Sequence, residues 1–467
     1  MKKKLLLLSD DLRLHSGVGT MSRKIVEGTT PTYNWVQVAA AVKHPEEGKR
    51  VDISKEVQEQ TGVEDASVVL YPSSGYGNQE MLRKILADEK PAAILHFTDP
   101  RFWGWLYAME HEIRQEIPIL YYNIWDDLPF PHWNEPFYDC CDSLMAISKQ
   151  TYNINRHVCT TYPRTEGVDL TYVPHGIDPD EFRPVNLEED GDEQLQALKE
   201  QMFHGRDDAE FIAFYNSRNI RRKGVADLVQ AFEEFAKQSK LNEKAYLVLH
   251  TDPVDQNGTD LQAVVDALCP SATVVFSPGK VDSKILNYMY NLADVVCCPS
   301  SAEGFGLSHA EALMTGTPTI ATVIGGLQDQ MGFRKGDRYL TVDDFTAKKP
   351  TNSTGLLSKE HGDWVYPLWP NQSLQGSPAT PYIYDSRPEI ADITKGLLHW
   401  WNMSKSDRDR AGLKGRVYMV AEGFTSANMC EQMSKSINTV LDSFEPRAKI
   451  TLRDCSQINK KETGAIA

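Results

Sequence analysis

Ser300-Ser301-Ala302-Glu303-Gly304-Phe305-Gly306-Leu307-Ser308-His309-Ala310-Glu311-Ala312-Leu313 is the stretch whose reading decides the fold. Ahead of it, Ala293-Asp294-Val295-Val296-Cys297-Cys298-Pro299 is a short apolar run closed by proline, which reads as a buried strand. Behind it, Met314-Thr315-Gly316-Thr317-Pro318 places Gly and then Pro where a helix stops. The unit is therefore strand, glycine-bearing loop, short helix, break. Gly304 and Gly306 allow a sharp loop and leave the amides from Phe305 to Leu307 bare, and amides at a helix start hold an anion. Glu303 lies in the loop and Glu311 on the helix; a carboxylate accepts hydrogen bonds from two hydroxyls at once. Phosphate and polyol in one pocket describe a nucleotide sugar.

Composition sets the frame. A chain of 467 residues exceeds one core, so two domains plus additions are expected. Met1-Lys2-Lys3-Lys4-Leu5-Leu6-Leu7-Leu8 imitates a signal peptide, but the apolar run ends at Ser9-Asp10-Asp11 and reads as the first strand of a parallel sheet. No stretch approaches membrane-spanning length. Eight cysteines without a Cys-x-x-Cys exclude a disulfide framework or zinc site, and a reducing cytoplasm is the expected compartment. A net charge of −16 argues against a general electrostatic nucleic-acid binder, while a local basic groove stays open.

Along the chain, apolar runs alternate with helical segments, which implies a doubly wound α/β architecture with ligands beyond the strand C-terminal ends. The run Lys4 to Ser9 precedes Ser16-Gly17-Val18-Gly19-Thr20, where Gly17 and Gly19 suit either a phosphate approach or a plain tight turn. Further strands end near His96, Asp99 and Arg101, and near Asn123, Trp125, Asp126 and Asp127; this polar and aromatic set suits an acceptor site or, equally, caps and ion pairs. Asp178-x-Asp180 reads as a turn rather than a metal motif. Arg218, Arg221, Arg222 and Lys223 crowd one strand-to-helix junction, as a diphosphate clamp would.

Glu303-Gly-Phe-Gly-Leu…Glu311-Ala, continued by Thr322-Val323-Ile324-Gly325-Gly326, resembles the donor-site signature of retaining GT-B glycosyltransferases of the family-4 type (glycosyl transferases group 1). That resemblance implies two Rossmann-like domains facing across a cleft. The first covers residues 1–185 on the acceptor side. The second covers 206–425, binds the nucleotide sugar, and carries an irregular insertion at 335–385. A crossing helix at 426–445 and a flexible tail at 446–467 complete the layout.

The resemblance also assigns roles. Arg218 and Lys223 become the donor phosphate clamp, Glu303 the ligand of the sugar hydroxyls, and Glu311 that of the ribose. Gly17, Gly19, Gly304, Phe305, Gly306 and Leu307 complete the donor site, and Glu303, Arg218 and Lys223 are the catalytic set. The co-substrate is a nucleoside-diphosphate sugar, a UDP-sugar foremost, with no metal or other cofactor required. The family's histidine at the strand ending at Asn123 is replaced here.

Leu7-Leu8-Ser9-Asp10-Asp11…Ser22 and Tyr121-Tyr122-Asn123-Ile124-Trp125-Asp126-Asp127-Leu128-Pro129 resemble glycosyltransferases of T4-related tailed phages. This wider resemblance implies a hydroxymethylated pyrimidine of phage DNA as one acceptor, with host cytoplasm as its setting. Trp103, Trp105 and Trp125 would face the flipped base, and a basic strip would line the first domain's cleft face. A glycan or small molecule is the other acceptor class. A GT-B epimerase or a silent sugar-nucleotide binder are the alternatives to a transferase.

Overall fold

The computed structural model describes residues 2–41, 43–161, 167–185 and 193–448. Residues 186–192, between the two expected domains, and most of the expected tail lie outside the described residues.

Eight strands build the first sheet: β1 (Lys3–Asp10), β2 (Tyr33–Ala40), β3 (Val51–Asp52), β4 (Val68–Pro72), β5 (Ala93–Phe97), β6 (Ile119–Asn123), β7 (Ser143–Ala146) and β8 (Asp169–Tyr172). Their order is β3-β4-β2-β1-β5-β6-β7-β8, and every pairing is parallel except β3 with β4. The leucine run explains itself here. Leu5 and Leu7 enter one core cluster and Leu6 and Leu8 enter another, as successive side chains of a strand covered on both faces must.

The second sheet contains β9 (Phe211–Asn216), β10 (Ala245–His250), β11 (Thr273–Phe276), β12 (Val295–Cys298) and β13 (Thr319–Thr322). A small antiparallel pair, β14 (Arg334–Lys335) and β15 (Arg338–Tyr339), precedes the sixth strand, β16 (Val365–Leu368). The order is β11-β10-β9-β12-β13-β16. Phe211, Ala213 and Tyr215 of β9 feed a core of the second domain alone. Ile212 and Phe214 feed the same cluster as Leu5 and Leu7, so one apolar core runs beneath both sheets.

Two doubly wound domains of the GT-B kind result, and the 335–385 insertion is where expectation and structure part. It is not irregular throughout. Val365–Leu368 completes the main sheet as an edge strand, the one position where Pro367 costs no ladder bond on a second neighbour. Beyond it, β17 (Asn371–Ser377) and β18 (Thr380–Arg387) form an antiparallel hairpin.

The last helix, Ser426–Ser443, returns to the first domain. Met429, Met433, Ile437 and Val440 bury one stripe in the shared core. Tyr33 donates from its hydroxyl to Asn438 Oδ1 at 2.9 Å, and the Thr171 and Ser436 hydroxyls meet at 3.0 Å. Each buried apolar side chain of that stripe contributes roughly 1.5–3 kcal/mol. No helix among the described residues is long and apolar enough to cross a membrane.

Candidate active site

The loop after β12 and the helix Leu307–Thr315 form the centre of the site. Gly306 caps that helix with φ 90°, a left-handed conformation that favours glycine, and no side chain satisfies the first-turn amides. Gly304 lets the loop lie against the first domain: a Cβ there would meet Ile147 Cδ1 at 2.8 Å and the Ile124 carbonyl oxygen at 3.0 Å. Phe305 packs edge-on against His175 of the domain junction, ring centroids 5.2 Å apart. Across the cleft a Cβ on Gly17 would lie 3.4 Å from Leu307. Gly19 sits elsewhere, with its α-carbon facing the Leu14 carbonyl oxygen, and serves the turn that starts the helix Gly17–Thr29.

Glu303 is 8% exposed and bonded to Lys223, with the Ser300 hydroxyl donating at 2.9 Å. Arg222 stands 3.6 Å from its other oxygen and donates to the Ala302 carbonyl at 2.6 Å. Burial would raise the Glu303 carboxyl, but the charges of Lys223 and Arg222 and the two hydrogen bonds outweigh it, so it stays below its ordinary range. Arg218 is placed differently: it is exposed and forms a bidentate pair with Asp255 at 2.6 and 3.2 Å. Of the basic cluster, Lys223 and Arg222 reach Glu303, while Arg218, earlier in the same connection, turns to Asp255 in the loop after β10. Nothing in the sequence distinguished Arg222 from its neighbours.

Glu311 accepts from the Tyr290 hydroxyl at 2.7 Å, and Tyr290 in turn accepts from Asn216 at 2.8 Å. Burial raises its carboxyl to about 7, with Tyr290 and Lys24 opposing and Glu181 adding to the rise. A carboxylate poised near neutrality suits a site that exchanges a proton or a hydroxyl ligand.

The first domain's candidates divide. Asp126 and Asp127 line a cleft together with Glu303, Ser301, Gln150, Thr351 and Ser353. Both carboxyls are raised by burial; Glu303 and Asp126, respectively, add to the rise, and Arg222 opposes it. Trp125 flanks them, its indole donating to the Asp127 carbonyl at 2.9 Å, with the Arg101 guanidinium 5.3 Å from its ring. Asp99 caps a short helical turn and pairs with Arg101.

His96 and Asn123 turn inward, against the acceptor-site expectation. His96 is fully buried, stacked on Tyr121 and hydrogen-bonded to Tyr107 and Thr98 at 2.7 and 3.1 Å. Burial pushes it down to about 3, so it is neutral. Asn123 donates to the Tyr138 hydroxyl and Asn155 and accepts from the Trp125 amide. Trp103 is fully buried as well, which removes it from any face a base could stack on. Asp178 behaves as the turn reading expects, accepting from the Asp180 amide at 2.9 Å.

Gln150, Thr351, Ser353 and the hairpin residues Gln372, Tyr384 and Ser386 also line the cleft. Sequence reasoning missed them because isolated polar residues in loops, in the first turn of a helix and on an exposed hairpin carry no pattern. Ser300 lay inside the quoted motif, and Tyr290 is recognisable only through its partner.

Residues 198–345 match the family model Glycosyl transferases group 1. The chain is 31% identical over 155 residues to the alpha-monoglucosyldiacylglycerol synthase of Acholeplasma laidlawii, covering 32% of this chain and 35% of that protein. It is 43% identical over 97 residues to a D-inositol 3-phosphate glycosyltransferase of Corynebacterium urealyticum, 21% of this chain and 22% of that one. The chain thus spans well under half the length of these curated relatives. Among solved structures, Anabaena HepE in complex with UDP and glucose aligns with TM-score 0.63 at 14% identity, over 94% of this chain and 100% of that one. Sucrose-phosphate synthase from Thermosynechococcus elongatus aligns with TM-score 0.62 at 15% identity, over 95% and 100%. The solved structures speak to the fold, a GT-B architecture, and the family match falls largely within its second domain.

Proposed function

We propose that the protein is a retaining glycosyltransferase that moves a sugar from a nucleoside-diphosphate sugar to an acceptor hydroxyl. The observation that carries this reading is the bond of Lys223 to Glu303, a cleft-lining carboxylate in the loop that leads into the uncapped helix Leu307–Thr315. Lys223 and Arg222, with Arg218 from the same connection, neutralise a diphosphate; the helix amides hold it as it departs. Glu303 accepts from the hydroxyls of the sugar, and Glu311 from the ribose. Retention follows if the acceptor hydroxyl attacks from the face the diphosphate leaves, passing its proton to the departing phosphate oxygen. The HepE neighbour, solved with UDP and glucose, supports a uridine nucleotide. Seven described cysteines are free, in keeping with work in a reducing cytoplasm.

For the acceptor, the lining of the cleft favours a polyhydroxylated molecule, a glycan or small polyol. Asp126, Asp127, Ser301, Thr351 and Ser353 offer carboxyls and hydroxyls, and no lysine or arginine stands among the lining residues. Hydroxymethylated DNA calls for cations along its phosphates, so it is the second candidate. The test is nucleotide release from UDP-, GDP- and ADP-sugars with glucose, inositol and hydroxymethylated DNA as acceptors, the product anomer read by NMR. One accepted donor and a product of unchanged anomeric configuration support the proposal. Interconversion of the donor sugar without release points to an epimerase, and binding without turnover to a silent binder.

A further inference from the structure

The hairpin β17–β18 belongs to the second domain by sequence but seats itself on the first. The Tyr384 amide donates to the Leu128 carbonyl at 2.7 Å, and the Tyr382 hydroxyl to the Phe130 carbonyl at 3.3 Å. Tyr382 packs edge-on against Trp133 with ring centroids 4.4 Å apart. Ile383 and Tyr384 join the core beneath β1 and β5 of the first domain, and Arg387 pairs with Asp227 at the hairpin's own root. Anchored to both domains, the ribbon lines the cleft. On its inner side Gln372, Tyr384 and Ser386 face the same space as Glu303, Asp126 and Asp127.

The chemistry of these three residues is specific. Gln372 donates from its amide to the Ser386 hydroxyl at 3.1 Å, which fixes the orientation of both. Ser386 is 5% exposed, so a hydroxyl held there is shielded from solvent. An amide, a phenol and a hydroxyl set against three carboxylates match a ring carrying several hydroxyl groups, whose OH groups both donate and accept. They carry no positive charge to neutralise a phosphate, unlike Lys223 and Arg222 at Glu303.

We propose that the hairpin 371–387 is the sugar-selecting wall of the cleft, with Gln372, Tyr384 and Ser386 reading the hydroxyl groups of the sugar ring held at Glu303. This rests on the nucleotide-sugar reading of the site. A polar site built to hydrogen-bond a hydroxyl rejects an epimer that misplaces it, because buried partners are left unpaired. The nucleotide diphosphate, met by Lys223 and Arg222, contributes affinity without contributing this choice.

The experiment is calorimetric titration of the full chain with UDP, UDP-glucose, UDP-galactose, GDP-mannose and ADP-glucose. Wild type and the variants Tyr384→Phe, Tyr384→Ala and Gln372→Ala are compared, each checked for an unchanged melting temperature. Wild type is expected to prefer one sugar nucleotide at least about tenfold over its epimer, the scale of one lost hydrogen bond. Gln372→Ala and both Tyr384 variants are expected to erase most of that preference and to leave the affinity for bare nucleotide unchanged. Tyr384→Phe removes only the hydroxyl, and Gln372 is exposed, so at least one variant remains folded. Variants that keep the wild-type preference, or that lose bare nucleotide and sugar nucleotide in parallel, overturn the inference. So does a wild type that binds nucleotide but treats all sugars alike, and each of these leaves the nucleotide site standing. A wild type that binds no nucleotide or nucleotide sugar overturns the proposed function and this inference together.

Discussion

The strand ends of the two domains carry comparable sets of polar residues and use them in opposite ways. In the second domain, glycine-bearing loops lift Lys223 and Glu303 out of the sheet, and their charges meet at the cleft. In the first, His96 and Asn123 sit within β5 and β6 themselves and point into the core, hydrogen-bonded to Tyr107, Thr98, Tyr138, Asn155 and the Trp125 amide. A polar residue within a strand is bound to one face by the pleat; one in a loop beyond it is free to face a ligand. Asp126 and Asp127, past the end of β6, escape that constraint and line the cleft.

Breaking the second-domain side gives the largest effect. Lys223→Ala removes the cation bonded to Glu303 and proposed to face the diphosphate, and nucleotide release is expected to fall about 10²–10³-fold. A steady-state assay reads this, and a fall of less than about threefold places the phosphate elsewhere.

Glu311→Gln comes next. Nucleotide affinity is expected to drop about tenfold, as for loss of a charge-assisted hydrogen bond. Stability should move the other way. The Glu311 carboxyl is raised from 4.5 to about 7, so the folded state binds more protons than the unfolded one in that window. Its contribution therefore falls as pH rises from about 4.5 to about 7. The Gln variant is expected to melt higher than wild type at pH 8 and to lose that advantage by pH 4. A variant that gains nothing at pH 8 contradicts the buried-carboxylate account.

On the first-domain side the order of effects inverts. Asn123→Ala strands the Tyr138 hydroxyl and Asn155 and is expected to cost about 1–3 kcal/mol of stability. Nucleotide affinity should stay at the wild-type value, since no contact of Asn123 reaches the cleft. Denaturant unfolding and calorimetry together separate the two quantities.

The smallest effect sharpens the contrast by its sign. Burial lowers His96 from 6.5 to about 3, so in this window the unfolded state binds the extra proton and stability rises with pH. His96→Gln is expected to flatten that acid slope, which is opposite to the slope set by Glu311. Melting temperatures from pH 4 to 8 check it.

What the sequence made legible follows from the same physics. Leu5-Leu6-Leu7-Leu8 and Val295-Val296-Cys297-Cys298 announce buried strands because both faces are apolar, and the Gly-Phe-Gly loop announces a ligand-bearing turn. The hairpin stayed hidden because Asn371–Ser377 is exposed along its whole length and shows no alternation. Val365–Leu368 stayed hidden because four residues with a central proline resemble a loop until an edge position is found for them. His96 and Asn123 looked like site residues because parity within a strand cannot be assigned until the covering helices are known. Gln150 reaches the cleft from the first turn of the helix Lys149–Thr161 and Thr351 from a loop, and no spacing marks them.

The central claim is that the second domain's strand ends hold a nucleotide sugar while the first domain's inward polar residues hold the fold. Its most direct test is side-by-side titration of wild type, Lys223→Ala and Asn123→Ala with the UDP-, GDP- and ADP-sugars. The account predicts saturable binding of one donor by wild type and by Asn123→Ala, and its loss in Lys223→Ala. Equal binding by Lys223→Ala, or binding lost in Asn123→Ala while that variant remains folded, would contradict it.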